Sequence, residues 1–254
     1  MQVANWTTVL GDFDDASLTY FGDTSTFTTR DDGYYVRTRG PDGELQDYKV
    51  AYVFGVDPLQ QYLIEFPGGR LQALTLAWDT RPAEEGGQRW FHLYPEEEVG
   101  WDDPLHWTGP YLNWNYMCAA CHSTDLKRGY DAATDAYETA WAEIDVGCEA
   151  CHGPGSTHVS WANRESAAAG ESPTQPQRSY ANAADVGLLV DLADRSGGTW
   201  TFAPGDSIAS RTAPLASNAQ IETCAPCHAR RTVVGAGFAP GRPLLDTHRP
   251  QVLE

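Results

Sequence analysis

The chain has 254 residues, of which 41% are hydrophobic and 11% aromatic, with nine tryptophans; this composition excludes a disordered chain, and the length suffices for one large core or two smaller ones. Seventeen basic residues against 35 acidic ones leave a formal charge of −18, which argues against a nucleic-acid partner. No apolar run approaches the roughly 20 residues of a membrane helix, so no membrane span is expected.

Met1 is followed by Gln2-Val3-Ala4-Asn5-Trp6, with neither a basic nor an apolar leader stretch, so no secretory signal is expected in this numbering. The first third then reads as β-structure. Runs rich in Thr, Tyr, Phe and Val are separated by turn signals at Asp31-Asp32-Gly33, Gly40-Pro41-Asp42-Gly43 and Pro67-Gly68-Gly69. Strands are expected at 34–39, 50–54, 62–66 and 71–78, and residues 8–80 as a whole predict an antiparallel meander. A polar linker follows at 81–87. All six cysteines and all seven histidines lie beyond it. This shift divides the chain into a β-rich domain at 1–87 and a second domain at 88–254.

Regular periodicity weakens in the second domain. Short helices are expected at 135–144 and at 217–224, the latter with Ser217 as N-cap. Residues 188–194 and 199–203 read as a small hairpin, and 162–178, rich in Ser, Ala, Gly, Pro and Gln, as a surface loop. The fold class is α+β with low regular content: an antiparallel β meander followed by a loop-rich region packed around its cofactors.

One pattern dominates that region. Cys-x-x-Cys-His occurs three times, as Cys118-Ala119-Ala120-Cys121-His122, Cys148-Glu149-Ala150-Cys151-His152 and Cys224-Ala225-Pro226-Cys227-His228, leaving no cysteine over. Cysteines three positions apart share one side of a helical turn, where their sulfurs form thioethers to the two vinyl groups of a haem. The next histidine then reaches the iron as proximal ligand. A zinc ribbon leaves the third pair without a partner and gives no role to the histidines. A disulfide framework leaves the same histidines unexplained, and a thioredoxin-like motif lacks its βαβ unit. Three covalently attached haems c are the expected cofactors.

Four histidines remain: His92, His106, His158 and His248. Methionine is nearly absent, and Met117 directly precedes Cys118, where it is poorly placed for the far face of that haem. Bis-histidine ligation is therefore expected, which lowers the reduction potential relative to His/Met ligation. His158 follows the Gly153-Pro154-Gly155 turn, a loop too short to cap the iron of His152, so ligation of an adjacent haem is expected. His106 and His92 sit in aromatic surroundings, and His248 is either a spare or a ligand to a haem outside the chain. Arg230 and Arg231 are candidates to pair with haem propionates.

Longer stretches carry a resemblance. Phe54-Gly55-Val56-Asp57-Pro58-Leu59-Gln60-Gln61-Tyr62, Trp90-Phe91-His92-Leu93-Tyr94-Pro95, Asn113-Trp114-Asn115-Tyr116-Met117-Cys118, Cys148-Glu149-Ala150-Cys151-His152-Gly153-Pro154-Gly155-Ser156 and Gly241-Arg242-Pro243-Leu244-Leu245-Asp246 are its carriers. Through them the chain resembles bacterial multihaem c-type cytochromes whose longer members continue into tetratricopeptide repeats. Those members have further Cys-x-x-Cys-His motifs at both ends, so a shortened piece of such a protein is expected. The resemblance implies an extracytoplasmic place, periplasmic or extracellular, and a role in electron transfer.

The leading functional expectation is thus an electron carrier whose acidic surface steers it to redox partner proteins. The spare histidines admit self-association into a haem-wire polymer. The alternative is a haem enzyme that reduces a small nitrogen or sulfur oxyanion at an open iron, disfavoured by having only Lys49 and Lys127 as lysines. A third reading makes the β-rich domain a docking module.

Overall fold

The turn signals fall where the chain reverses. Nine strands, β1 (Gln2–Val3), β2 (Ala16–Tyr20), β3 (Asp23–Arg30), β4 (Gly33–Arg39), β5 (Leu45–Phe54), β6 (Leu59–Phe66), β7 (Arg70–Ala73), β8 (Leu76–Asp79) and β9 (Arg89–His92), pair antiparallel. Their spatial order is β2-β3-β4-β5-β6-β8-β9, with β1 added to β5 and β7 to β6. In this computed structural model, which describes residues 1–169 and 182–252, the compact units are Met1–Asp145 and Val146–Glu254. β9 and the first Cys-x-x-Cys-His, both past the 81–87 linker, belong to the first unit.

The two-residue period of a strand sends alternate side chains to opposite faces, and β6 buries both of its faces. Tyr62 and Ile64 join the interior core with Phe13, Phe27, Val36 and Trp90, while Leu63 joins a second cluster with Leu71, Ala73, Trp114 and Ala119. Inside, the Phe27 and Trp90 rings stack 3.5 Å apart, and the Trp90 indole donates to the Asp12 carbonyl at 2.8 Å. Tyr20 of β2 stacks on His92 of β9 at 3.7 Å, so the two ends of the sheet meet and the barrel nearly closes.

The second cluster holds α1 (Trp114–Met117) and α2 (Ala119–His122) against the other face of the sheet. Gly69 makes the approach behind it possible. Its φ is +68°, and a Cβ there would lie 2.1 Å from the Tyr137 carbonyl oxygen.

Several local expectations are corrected. The strand expected at 71–78 is two strands, β7 and β8, both pairing with β6. No helix forms at 135–144. Instead β10 (Tyr130–Asp131) and β11 (Ala136–Tyr137) make a hairpin, extended by the Lys127–Ala140 and Thr124–Glu143 bridges. The amides of Glu138, Ala140 and Ala142 bond to Gly129, Lys127 and Thr124 across it, which removes them from any helix.

In the second unit, α3 (Glu149–His152) is followed by α4 (Ser156–Ala169), so residues 162–169 are helical rather than looped; the remainder of the 162–178 loop lies outside the described residues. The expected hairpin partner is also different: β12 (Trp200–Thr201) pairs with β13 (Ser210–Arg211), while 188–194 forms no strand. Arg211 explains the choice, because it pairs with Asp194 and donates to the Ala213 carbonyl at 3.0 Å, tying the segment back on itself. α5 runs Ala219–His228 with Asn218 as N-cap, one residue later than expected; Ser217 Oγ instead accepts the Ala219 amide at 2.9 Å. β14 (Arg231–Val233) and β15 (His248–Pro250) close the unit.

Candidate functional site

Each Cys-x-x-Cys-His occupies a helical turn. Cys118 precedes α2, whose Cys121 amide bonds back to the Cys118 carbonyl at 3.0 Å. Cys148 precedes α3, whose His152 amide bonds to the Cys148 carbonyl at 3.0 Å. The third motif forms the second half of α5. Cys148, Cys224 and Cys227 are exposed, whereas Cys118, Cys121 and Cys151 are partly buried. Burial, reinforced by the neighbouring Cys121, pushes the Cys118 thiol up to about 11. Burial lowers His122, which packs edge-on near Phe54 with ring centroids 6.0 Å apart. The His152 Nδ1 is buried without a hydrogen-bond partner.

The remaining histidines fall into two groups. His92 and His106 line a cavity of about 280 Å³ at the barrel mouth, beside Tyr20, Arg39 and Trp107. Burial lowers both, His106 to about 4, where the nearby His92 adds to the effect. His92 Nδ1 accepts the Tyr94 amide at 3.1 Å, which places the proton of the neutral ring on Nε2. His106 Nδ1 lies 2.8 Å from Thr108 Oγ1.

These two rings lie toward the Arg39 end of the strands, and Arg39 pairs with Leu45. His122 lies beside Phe54, at the opposite end of β5. The structure brings His92 and His106 together at one cavity.

His158 and His248 share the second unit with His152 and His228. His158 Nδ1 lies 2.7 Å from the Val186 carbonyl, and its ring stacks on Trp161 at 5.3 Å. His248 is buried, which lowers its pKa, and its Nδ1 lies 2.8 Å from Thr247 Oγ1. Met117 is half-exposed. Arg231 donates to the Pro226 carbonyl at 2.7 Å, which orients it beside the third motif.

The reading of the sequence passed over a set of buried amides that set the approach to the first motif. Asn115 accepts the Leu71 amide at 2.7 Å and donates to the Gly69 carbonyl and Thr139 Oγ1 at 3.1 and 2.9 Å. Gln72 donates to the Trp107 and Gly109 carbonyls at 2.9 and 3.0 Å and accepts from Asn113 at 3.1 Å. Together they pin residues 107–115 to β7. The signal was the pair of asparagines flanking Trp114, polar groups in an aromatic run.

A family model described as Cytochrome c554 and c-prime matches residues 108–153, a stretch that holds the first two motifs entire. The match supports a c-type cytochrome. Such a family implies covalently bound haem c and a role in electron transfer. No curated protein and no solved structure matches the chain. Among the described residues no helix is long and apolar enough to cross a membrane. Among them, too, no three His, Cys, Asp or Glu side chains are grouped for a bare metal ion. Haem asks less of the protein, since its porphyrin supplies four of the iron ligands.

Proposed function

We propose that the chain is a multihaem electron carrier with three haems c, attached through Cys118 and Cys121, Cys148 and Cys151, and Cys224 and Cys227. The observation that carries this reading is that every one of these pairs, with His122, His152 or His228 directly after it, lies on its own helical turn. When bound, the haems supply one-electron couples. The chain holds them by thioether and imidazole, and its ligands and surroundings tune their potentials.

The residues present suit the group. In the second unit Leu189, Trp200, Phe202, Ile208 and Leu245 leave large apolar surfaces exposed, of the kind a porphyrin face covers. Two proximal and two spare histidines in that unit make a matched bis-histidine set, with His158 and His248 as distal ligands. The haem-bearing stretch, 88–254, draws on both compact units.

The acidic surface suits a basic redox partner, in the periplasm or outside the cell, with encounter rates that fall as salt rises. Self-association into a repeating haem wire is a further arm of this reading, tested by the oligomeric state of the haem-loaded protein.

Pyridine haemochrome absorbance and intact mass of the matured chain test the proposal together. Three haems per chain, with low-spin EPR signals, are expected. Zinc in place of haem, or a motif that stays unmodified under full maturation, overturns it.

A further inference from the structure

The structure assigns Val186 and Gly187 as positioning residues for His158, an inference that rests on the multihaem reading above. A carbonyl only accepts hydrogen bonds, so the 2.7 Å contact with Val186 O puts the His158 proton on Nδ1. Nε2 then keeps its lone pair, the form a metal requires. His92 has the opposite arrangement, with Nδ1 accepting from Tyr94. The two histidines are thus wired differently.

The carbonyl is held in place from both sides. Val186 ends a short 3-10 helix, Ala183–Val186, and the carbonyls at such an end have no partner within the helix. Its start is fixed by a capping box: Asn182 accepts the Asp185 amide at 3.2 Å, and Asp185 accepts the Asn182 amide at 3.0 Å. Its end is closed by Gly187, φ +75°, whose amide returns to the Ala184 carbonyl at 3.0 Å. A Cβ on Gly187 would lie 2.8 Å from the Thr157 carbonyl oxygen and 3.0 Å from the His158 nitrogen. Both are backbone atoms and cannot swing aside. Only glycine lets the end of this short helix sit directly on the start of α4, with the Val186 carbonyl under the imidazole. Trp161, one helical turn further along α4, stacks on the ring and limits its rotation.

An imidazole whose Nδ1–H is bonded to a carbonyl is a stronger donor through Nε2, and its orientation is set before metal arrives. Val186 therefore stabilises the oxidised state of whichever iron His158 binds, and Gly187 acts through Val186.

The test uses the haem-loaded protein, with EPR and a spectroelectrochemical titration. In Gly187→Ala the haem count is expected to stay unchanged while one haem rises in reduction potential and part of its low-spin signal becomes high-spin. His158→Ala should convert that same signal completely. Unchanged potentials and spectra in Gly187→Ala, alongside a lost low-spin signal in His158→Ala, overturn the positioning role and leave the ligand reading intact. A His158→Ala protein with every haem still low-spin removes the ligand reading and the positioning role with it. Should Gly187→Ala not fold, the native protein decides: a His158 Nδ1 proton protected from exchange is expected, and rapid exchange overturns the assignment.

Discussion

Tyr20 and His92 stack with ring centroids 3.7 Å apart and planes within 18°, and the contact joins the first and last strands of the main sheet path. A histidine in this position is part of the barrel wall. Its Nδ1 is engaged by the Tyr94 amide, and its ring faces the mouth cavity shared with His106.

Replacing His92 by Phe preserves a stackable ring and removes both nitrogens. The low-spin haem signals are expected to survive this change, with thermal stability reduced by the lost Tyr94 amide bond, about 1 kcal/mol. Loss of one low-spin EPR signal would instead make His92 an iron ligand.

Trp90 sits among the packed rings of the interior. It stacks on Phe27, meets Trp78 and Tyr62 at 5.5 and 5.1 Å, and donates to the Asp12 carbonyl. Trp90→Ala is expected to destabilise the first unit by about 3–5 kcal/mol, read as a lower denaturant midpoint. A change below about 1 kcal/mol would mean that the barrel core repacks around the gap.

Asn115 is almost fully buried and satisfies three backbone or side-chain groups at once. Asn115→Leu keeps the volume and strands the Leu71 amide and the Gly69 carbonyl without partners. Each orphan costs about 1–3 kcal/mol. Denaturant unfolding should show that loss, and an unchanged midpoint would mean that these two groups find other partners.

Asp194 contributes to the pH dependence of the second unit. The Ser196 amide, the Ser196 hydroxyl, the Ala216 amide and the Arg211 guanidinium all favour its charged form, holding its carboxyl down at about 2. An unfolded aspartate titrates near 3.9, so below about pH 5 the unfolded chain binds the proton more readily than the folded one. The stabilisation is complete above that range and is lost as pH falls toward about 2. Unfolding of the haem-loaded protein between these limits should be less steeply pH-dependent in Asp194→Asn than in the native chain. Equal slopes would show that the Asp194 contacts are absent from the folded state in solution.

The local chemistry was legible in the chain. Turn residues and two-residue alternation mark the strands at 34–39, 50–54 and 62–66, because those signals depend on neighbours only a few positions apart. The Cys-x-x-Cys-His spacing is equally local: three groups that must act together are held within one turn. Helix 135–144 and the 199–203 hairpin went the other way. There the competing partners, Lys127, Thr124 and Arg211, lie 11 to 19 residues off and win by pairing amides that a short, weakly periodic helix or strand holds loosely.

By itself, then, the sequence determined where the three Cys-x-x-Cys-His motifs fall and that the first third is antiparallel β-structure, since both follow from residues adjacent along the chain. Only the tertiary structure decided which hydrogen bonds the spare histidines make. Along the chain, His92 stands in an aromatic run and His158 follows a Gly-Pro-Gly turn, and neither setting says which ring nitrogen carries the proton. Folded, one ring nitrogen accepts from Tyr94 and the other donates to Val186. The difference rests on partners 2 and 28 residues away and on a glycine that admits a close backbone contact. Hydrogen-bond direction is a property of what the chain brings next to a side chain, and no spacing along the sequence encodes it.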